Sequence, residues 1–317
     1  MSAAPTWTVA AGLAAGLAAD AVIADPRRGH PVAGFGLLAT SFEASSYRDS
    51  RASGIAHAAV LTGGVAALGA LTTRALPRPA GRLAITALAT WSVVGGTSLR
   101  REAAHMLRLL EQGDLDAARQ RLSHLCGRDP SGLDAAGLAR ATVESVAENT
   151  SDAVVGPLVW GALAGVPGLL AYRAVNTLDA MVGHRSPRYE RFGWASARTD
   201  DVANLLPSRL SAGLAAALAP VVGGRSRAAL RVWRRDGHKH PSPNAGPVEA
   251  AFAGALGRTL GGRLSYAGRF EERPLLGDGP APEVADIARA ARLSAAVGLA
   301  AGAVAVGTRL VLDTARR

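Results

Sequence analysis

Six stretches of this 317-residue chain are apolar over lengths close to that of a bilayer: 7–24, 55–76, 83–99, 153–172, 202–222 and 293–312. A hydrocarbon core of about 30 Å takes about 20 apolar residues to cross as a helix. Inside it every backbone N–H and C=O must be satisfied within the segment, which leaves the α-helix for single stretches like these. The chain is therefore expected to be all-α: a polytopic membrane protein with a cytosolic helical portion and four to six apolar membrane or re-entrant segments. It reads as a single domain over 1–317. Its N-terminal membrane spans lie in 1–99, a helical portion in 100–292 includes the apolar segments 153–172 and 202–222, and a C-terminal span lies in 293–317.

Composition enters where it excludes alternatives. Hydrophobic residues make up 49% of the chain against 19% charged, and the mean hydropathy is positive. That balance fits several membrane segments beside a large polar portion. The formal charge of +10 does not point to nucleic acid, because the basic residues are not interleaved with aromatics and no nucleic-acid motif occurs. Basic loops flanking apolar spans account for it. The single cysteine, Cys126, excludes an internal disulfide and a multi-cysteine zinc site. All 35 basic residues are Arg except Lys239. One reading is a position that requires a compact ammonium; the other is chance retention.

The stretch 7–24 has no basic segment ahead of it, and DPRRGHP follows it instead of a cleavage pattern. It reads as an uncleaved first span. DPRRGHP, residues 25–31, is a tight polar turn in which Asp25 and His30 each precede a proline. The turn either only exits the membrane or adds Asp25 and His30 to a site. From 100 to 148 the chain is polar and helical. Leu99, Ala103, Met106, Leu107 and Leu110 form an apolar face, Gly113 ends that helix, and Asp114 caps the next. Ser131 and Asp134 open the helix after it.

That helix carries RATVESVAENTSD, residues 140–152. Arg140, Glu144, Glu148 and Asp152 recur at every fourth position and share a slowly drifting face. Three carboxylates in one stripe repel each other unless a cation lies among them, and the stripe runs straight into an apolar segment. A metal or cationic group held there is one reading; a solvated face with an Arg–Glu pair is the other.

The apolar segment 153–172 contains Pro157 and the break GVPG at 165–168. It either crosses as a straight span or forms two half-helices that enter and leave on one face. Breaks at membrane depth are tolerated where they line a protein cavity. The choice decides whether Asn176 and Asp179 return to the side of Glu148. Further on come Arg185, Arg198, Asp200, Asp201, Asn204 and Arg209, the last two within an apolar run reaching 222. Ionisable groups there face a bundle interior or wet cavity, or else snorkel to the interface. GHKHPSPNAGP, residues 237–247, is a loop leading into a helix with Glu249 in its first turns. A helix N-terminus beside His238, Lys239 and His240 makes an anion site. No zinc spacing, no G-x-x-x-x-G-K-[ST] loop, no dinucleotide fingerprint, no G-x-S-x-G elbow and no internal repeat occurs. Arg is denser in the first, third and fifth loops, which places the N-terminus outside and 100–151 and 225–292 in the cytoplasm.

Five motifs, in order along nearly the whole chain, carry a family resemblance: ADPRRGHPV, ATVESVAENTSDAVVGPLVW, AVNTLDAMVGHR, SARTDDVANLLPSRL and GHKHPSPNAGPVEAAFAGALG. Together they resemble the CobD/CbiB family, the adenosylcobinamide-phosphate synthases of cobalamin biosynthesis. The resemblance implies a multi-pass enzyme of the cell membrane with its active site facing the cytoplasm. Its activity would be an ATP-dependent carbon–nitrogen ligation joining aminopropanol, or its phosphate, to adenosylcobyric acid through an amide bond. ATP is then the co-substrate and Mg²⁺ the cofactor. The implied partners are these substrates and the lipid bilayer, with no nucleic acid; a homo-oligomer is left open. One alternative is a sensor resembling AmpE, a distant relative linked to signalling and not to amide synthesis. A transporter is another, against which the lack of two related halves counts.

An amide ligase of this kind needs Mg²⁺ on oxygen ligands, cations on phosphates and exclusion of water. Under the resemblance the catalytic candidates are Glu144, Glu148, Asp152 and Lys239. Metal ligands are drawn from Glu144, Glu148, Asp152, Asp179, Asp200 and Asp201. Substrate binding falls to Asp25, His30, Asn149, Asn176, Arg185, Arg198, Asn204, Arg209, His238, Asn244 and Glu249. With no known ATP loop in the chain, the nucleotide must be held in an unfamiliar way.

Overall fold

The structure, a computed structural model, describes residues 7–24, 29–184, 186–266 and 269–315, without the side chains of 263–271. Asp25, Arg27, Arg28, Arg185, Arg316 and Arg317 lie outside the described residues. In chain order the elements are α1 (Trp7–Ile23), α2 (Pro31–Ser46), α3 (Arg51–Ala75), α4 (Pro79–Val93), α5 (Gly96–Glu111), α6 (Leu115–Leu122) and α7 (Ala135–Thr150). There follow α8 (Gly156–Leu178), α9 (Trp194–Ala203), α10 (Leu205–Ala217), α11 (Ser226–Asp236), α12 (Ala245–Leu256), the strands β1 (Leu260–Tyr266) and β2 (Arg269–Leu276), and α13 (Asp286–Thr314). Among the described residues the fold is all-α apart from that hairpin, which interrupts a polar block expected to be loop and helix.

Among the described residues three helical runs are long and apolar enough to cross a membrane: Arg51–Ala75, Ala135–Gly183 and Asp286–Thr314. Three other expected spans are not among them: over 7–24, α1 is a shorter apolar helix of 17 residues, and two more do not form membrane-length helices. Where 83–99 was expected to cross, α4 has only 15 residues, about 22 Å, and stops at Val93 ahead of Gly95 and Gly96. The segment 202–222 is divided at Asn204 between α9 and α10, and Pro220 opens a separate 3-10 turn, Ala219–Val222. Proline has no N–H to continue a helical ladder.

The chain folds into two compact units, one made of Met1–Gly95, Gly156–Asn204 and Ala301–Arg317, the other of Gly96–Val155 and Leu205–Ala300. In the first unit α1 packs on α4 because Gly12 and Gly16 present a bare strip to Thr86 and Thr90. This is the small-residue packing that membrane helices use in place of a hydrophobic driving force. Ser50 caps α3 by accepting from the Ser53 N–H.

The break in 153–172 is resolved in favour of the re-entrant reading. Gly165 adopts φ 65°, ψ −146°, a conformation open to glycine, and Pro167 follows it. The two arms of α8 then lie side by side. A Cβ on Gly156 would collide with the Tyr172 ring and hydroxyl, and one on Gly168 would collide with the Trp160 carbonyl. In a straight helix positions 156 and 172 would be about 24 Å apart. The segment therefore returns its C-terminal end to the level of its start.

In the second unit the expected caps are in place. Asp114 accepts from the Ala117 N–H, and Asp134 accepts from the Gly137 N–H, at 3.0 and 2.8 Å. Leu99, Ala103, Met106 and Leu110 form the buried face of α5. Every residue of α12 is buried, Glu249 included. Its small side chains allow that closeness: Gly254 lies against Ala229 and Val232 of α11.

Candidate functional site

Glu144 lies on the buried face of α7 and both its oxygens are held. Oε2 accepts from Arg128 Nη2 at 2.6 Å, and Oε1 accepts from the backbone N–H of Gly261 at 2.8 Å. Arg128 comes from the loop ahead of α7, and both side chains of the pair are almost fully enclosed. Gly261 begins a bulge in β1, with φ 89°, where the register between Leu260 and Gly262 shifts. A Cβ there would strike the Pro274 carbonyl, so the N–H can face Glu144 only because the residue is glycine.

One turn along α7, Glu148 is exposed. It interacts electrostatically with Glu144, Arg128 and Arg273. From α12, Glu249 faces the same groups. Burial first, and then the Glu144 and Glu148 carboxylates, raise its pKa well above the ordinary range, against the pull of Arg273 and Arg128. Among the described residues no hydrogen bond is made to the carboxylate of Glu148 or of Glu249. His240 completes the group, 3.8 Å from Glu249. Its Nε2 meets Arg273 Nη1. Its Nδ1 accepts from the Ser242 backbone N–H at 3.0 Å. The second unit thus gathers three carboxylates, two guanidiniums and an imidazole. Such a set can bind phosphate through its guanidiniums, share a cation between Glu148 and Glu249, and take up a proton at Glu249.

A second polar group forms in the first unit. Asn204, buried at the end of α9, accepts from the Tyr172 hydroxyl at 2.7 Å and donates to Asp200 at 3.0 Å. Asn176 reaches the same Asp200 at 3.5 Å. These three expected residues meet because the second arm of α8 carries Tyr172 and Asn176 against α9.

The other sequence candidates have plainer positions. Lys239 donates to Asp236 at 2.7 Å. Asp236 is buried and also held by Arg235 and the Gly277 N–H; the Arg235 bonds above all hold its pKa well below the carboxylate range. His238 is exposed, and it is His240 that joins the cluster. Arg209 and Ser208 both donate to Asn244 Oδ1, at 2.8 and 3.1 Å. Arg198 pairs with Asp201 at 3.2 Å on the surface of α9. His30 caps α2 by accepting from the Val32 N–H. Asn149 donates back to the Ser145 carbonyl. Asp152 and Asp179 sit, half-buried, in π-helical turns at Ser151–Val155 and Asp179–Gly183. Such turns are frequent at functional sites.

Arg128 and Arg273 were missed. Each is one arginine among 34 in a stretch without helical period, and nothing local separates it from the rest. The one signal for the hairpin was Gly261-Gly262 ahead of a short strand-like run.

Long apolar helices and an enclosed carboxylate–guanidinium centre define a helical membrane protein with a buried polar cluster. Comparison with known proteins makes this specific. The model of the CobD/CbiB protein family matches residues 13–294. Cobalamin biosynthesis protein CobD of Mycobacterium tuberculosis is 54% identical over 304 residues, covering 96% of this chain and 97% of that protein. The protein of the same name from Rhodobacter capsulatus is 44% identical over 288 residues, covering 88% and 90%. That from Geobacter metallireducens is 44% identical over 266 residues, covering 82% and 83%. No solved structure matches. The chain belongs to the CobD/CbiB family, and with it to cobalamin biosynthesis.

Proposed function

We propose that the chain is an ATP-dependent amide ligase that joins adenosylcobyric acid to aminopropanol or its phosphate. The observation that carries the reading is the cluster of Glu144, Glu148 and Glu249 with Arg128, Arg273 and His240. A carboxylate and an amine do not condense in water at a useful rate. Phosphoryl transfer from ATP to the acid gives an acyl phosphate and ADP; the amine then attacks its carbonyl carbon and phosphate leaves. Arg273 suits the transferring phosphoryl group, because a guanidinium stabilises charge spread over its oxygens. Glu249 suits the proton lost by the attacking amine, since burial first and then the Glu144 and Glu148 carboxylates raise its pKa well above the ordinary carboxylate range. Glu144, with both oxygens held, positions Arg128 and the hairpin.

Mg²⁺ would neutralise charge on the phosphates. Among the described residues no group of three or more His, Cys, Asp or Glu is arranged to hold a metal ion alone. Mg²⁺ in phosphoryl-transfer sites is usually held by one or two carboxylates plus phosphate and water. Glu148, exposed and without a hydrogen bond among the described residues, fits that lesser demand and leaves Glu249 to take the proton. The site faces the cytoplasm, where the arginine-rich blocks 100–151 and 225–292 are expected.

The test is turnover by purified protein in detergent with ATP, Mg²⁺, adenosylcobyric acid and aminopropanol or its phosphate. An amide product formed with stoichiometric ADP is expected, and E148Q and E249Q are expected to lower kcat by roughly a hundredfold or more. Folded wild-type protein that gives no product and no ADP sinks the ligase reading and favours a sensor resembling AmpE.

A further inference from the structure

A second charged feature lies at the other end of the first unit from Asn176 and Asp200. There a cavity of about 500 Å³ is lined by the tip of the α8 hairpin and by Arg74, Arg82 and Arg309. Arg74 ends α3, Arg82 lies in the first turn of α4, and Arg309 lies near the end of α13. Arg309 is neutralised by Asp313 at 2.8 Å. Arg74 and Arg82 have no carboxylate partner among the described residues, and the Arg82 Nε is enclosed without a hydrogen-bond partner. The tip residues Gly165, Val166 and Pro167 begin the second arm of α8, so the positive end of that arm's dipole opens into the same space. Two guanidiniums without a carboxylate partner among the described residues, one of them with its Nε enclosed, and a helix N-terminus converge on one cavity, and each calls for an anion.

The position of the cavity says which anion. The helix α3 is apolar and 25 residues long, about 37 Å, enough to cross a bilayer with some tilt. Arg74 is in its last turn, so the cavity lies at the level where headgroups sit. The rest of its lining includes the apolar Val9, Ala70 and Leu163. Cationic and apolar lining together at headgroup depth match a lipid phosphate with its acyl chains running down the helices. We infer that this cavity binds the headgroup of an anionic phospholipid, which pins the tip of the re-entrant hairpin between α3, α4 and α13. The inference does not depend on the reaction proposed above.

Native mass spectrometry of the full chain released from nanodiscs tests it. Wild type is expected to retain phosphatidylglycerol and not phosphatidylcholine. R74Q/R82Q is expected to retain at most a tenth as much, and R74K/R82K to keep most of it, because an ammonium also binds phosphate. Arg74 is exposed, so R74Q alone tests the point without disturbing packing, and a loss of at least threefold is expected. Retention by R74Q/R82Q equal to that of wild type, or equal uptake of phosphatidylcholine, overturns the proposal. So does saturable binding of inorganic phosphate that phosphatidylglycerol fails to displace, which would assign the cavity to a free anion.

Discussion

Arg128→Met tests whether the buried ion pair is what joins the hairpin to α7. The pair is 2.6 Å long and its side chains are 6% and 5% exposed, so water offers Glu144 almost no substitute for the lost guanidinium. Removing one partner of such a pair costs about 3–5 kcal/mol, because the other charge is left buried. Glu144 keeps only the Gly261 N–H and still has the Glu148 and Glu249 carboxylates acting near it. At about 1.4 kcal/mol per tenfold, the penalty corresponds to a loss of roughly two to three and a half decades in local opening equilibrium. The assay is amide hydrogen exchange, read by mass spectrometry on the peptide containing Gly261. A local readout is preferable because a chain of two units need not unfold in one step. Gln at 144 can still accept from the Gly261 N–H without carrying charge. R128M/E144Q is therefore expected to exchange within about tenfold of wild type. If R128M leaves this peptide as protected as in wild type, or the double variant exchanges as fast as R128M, the pair does not hold the hairpin.

Three further outcomes are expected. The raised pKa of Glu249 means that the folded chain holds that proton more tightly than the unfolded chain, so ionisation costs stability as pH rises above the ordinary carboxylate range. E249Q should accordingly melt above wild type at pH 8 and level with it at pH 4 while losing turnover; a constant difference across pH would remove the carboxylate repulsion. Lys239 is half-exposed on Asp236, which keeps Arg235 and the Gly277 N–H without it, so K239M should cost about 1 kcal/mol or less and lower kcat less than roughly tenfold. A fall beyond a hundredfold with an unchanged melting temperature would place the ammonium on substrate. G156A should cost about 2–4 kcal/mol, combining overpacking with loss of the Tyr172–Asn204 hydrogen bond, and G156A/Y172A should recover part of it. A neutral G156A would argue against the folded-back hairpin.

Features with a local physical cause were legible in the sequence. The GVPG break was legible as an interruption, and the fold-back that the sequence left open follows from Gly165 at positive φ. The caps at Asp114 and Asp134 and the buried face of α5 follow from spacing alone. The span at 83–99 was overread because apolar content continues through Gly95 and Gly96, where the backbone does not. The hairpin was missed because its pairing depends on a glycine bulge and not on a long alternating pattern.

The carboxylate stripe marks the limit of such reading. Four-residue spacing placed Glu144 and Glu148 on one face and made them equivalent. The structure makes them opposites: Glu144 is enclosed with both oxygens held, and Glu148 is exposed with no hydrogen bond among the described residues. What separates them lies 16 residues away at Arg128 and 117 away at Gly261. Contacts at that range leave no trace in periodicity. The same holds for Glu249, whose raised pKa comes from burial and from two carboxylates on another helix. A stripe of acids in sequence therefore marks a polar cluster, and the partners brought in by tertiary structure decide which acid is enclosed and held and which stays exposed.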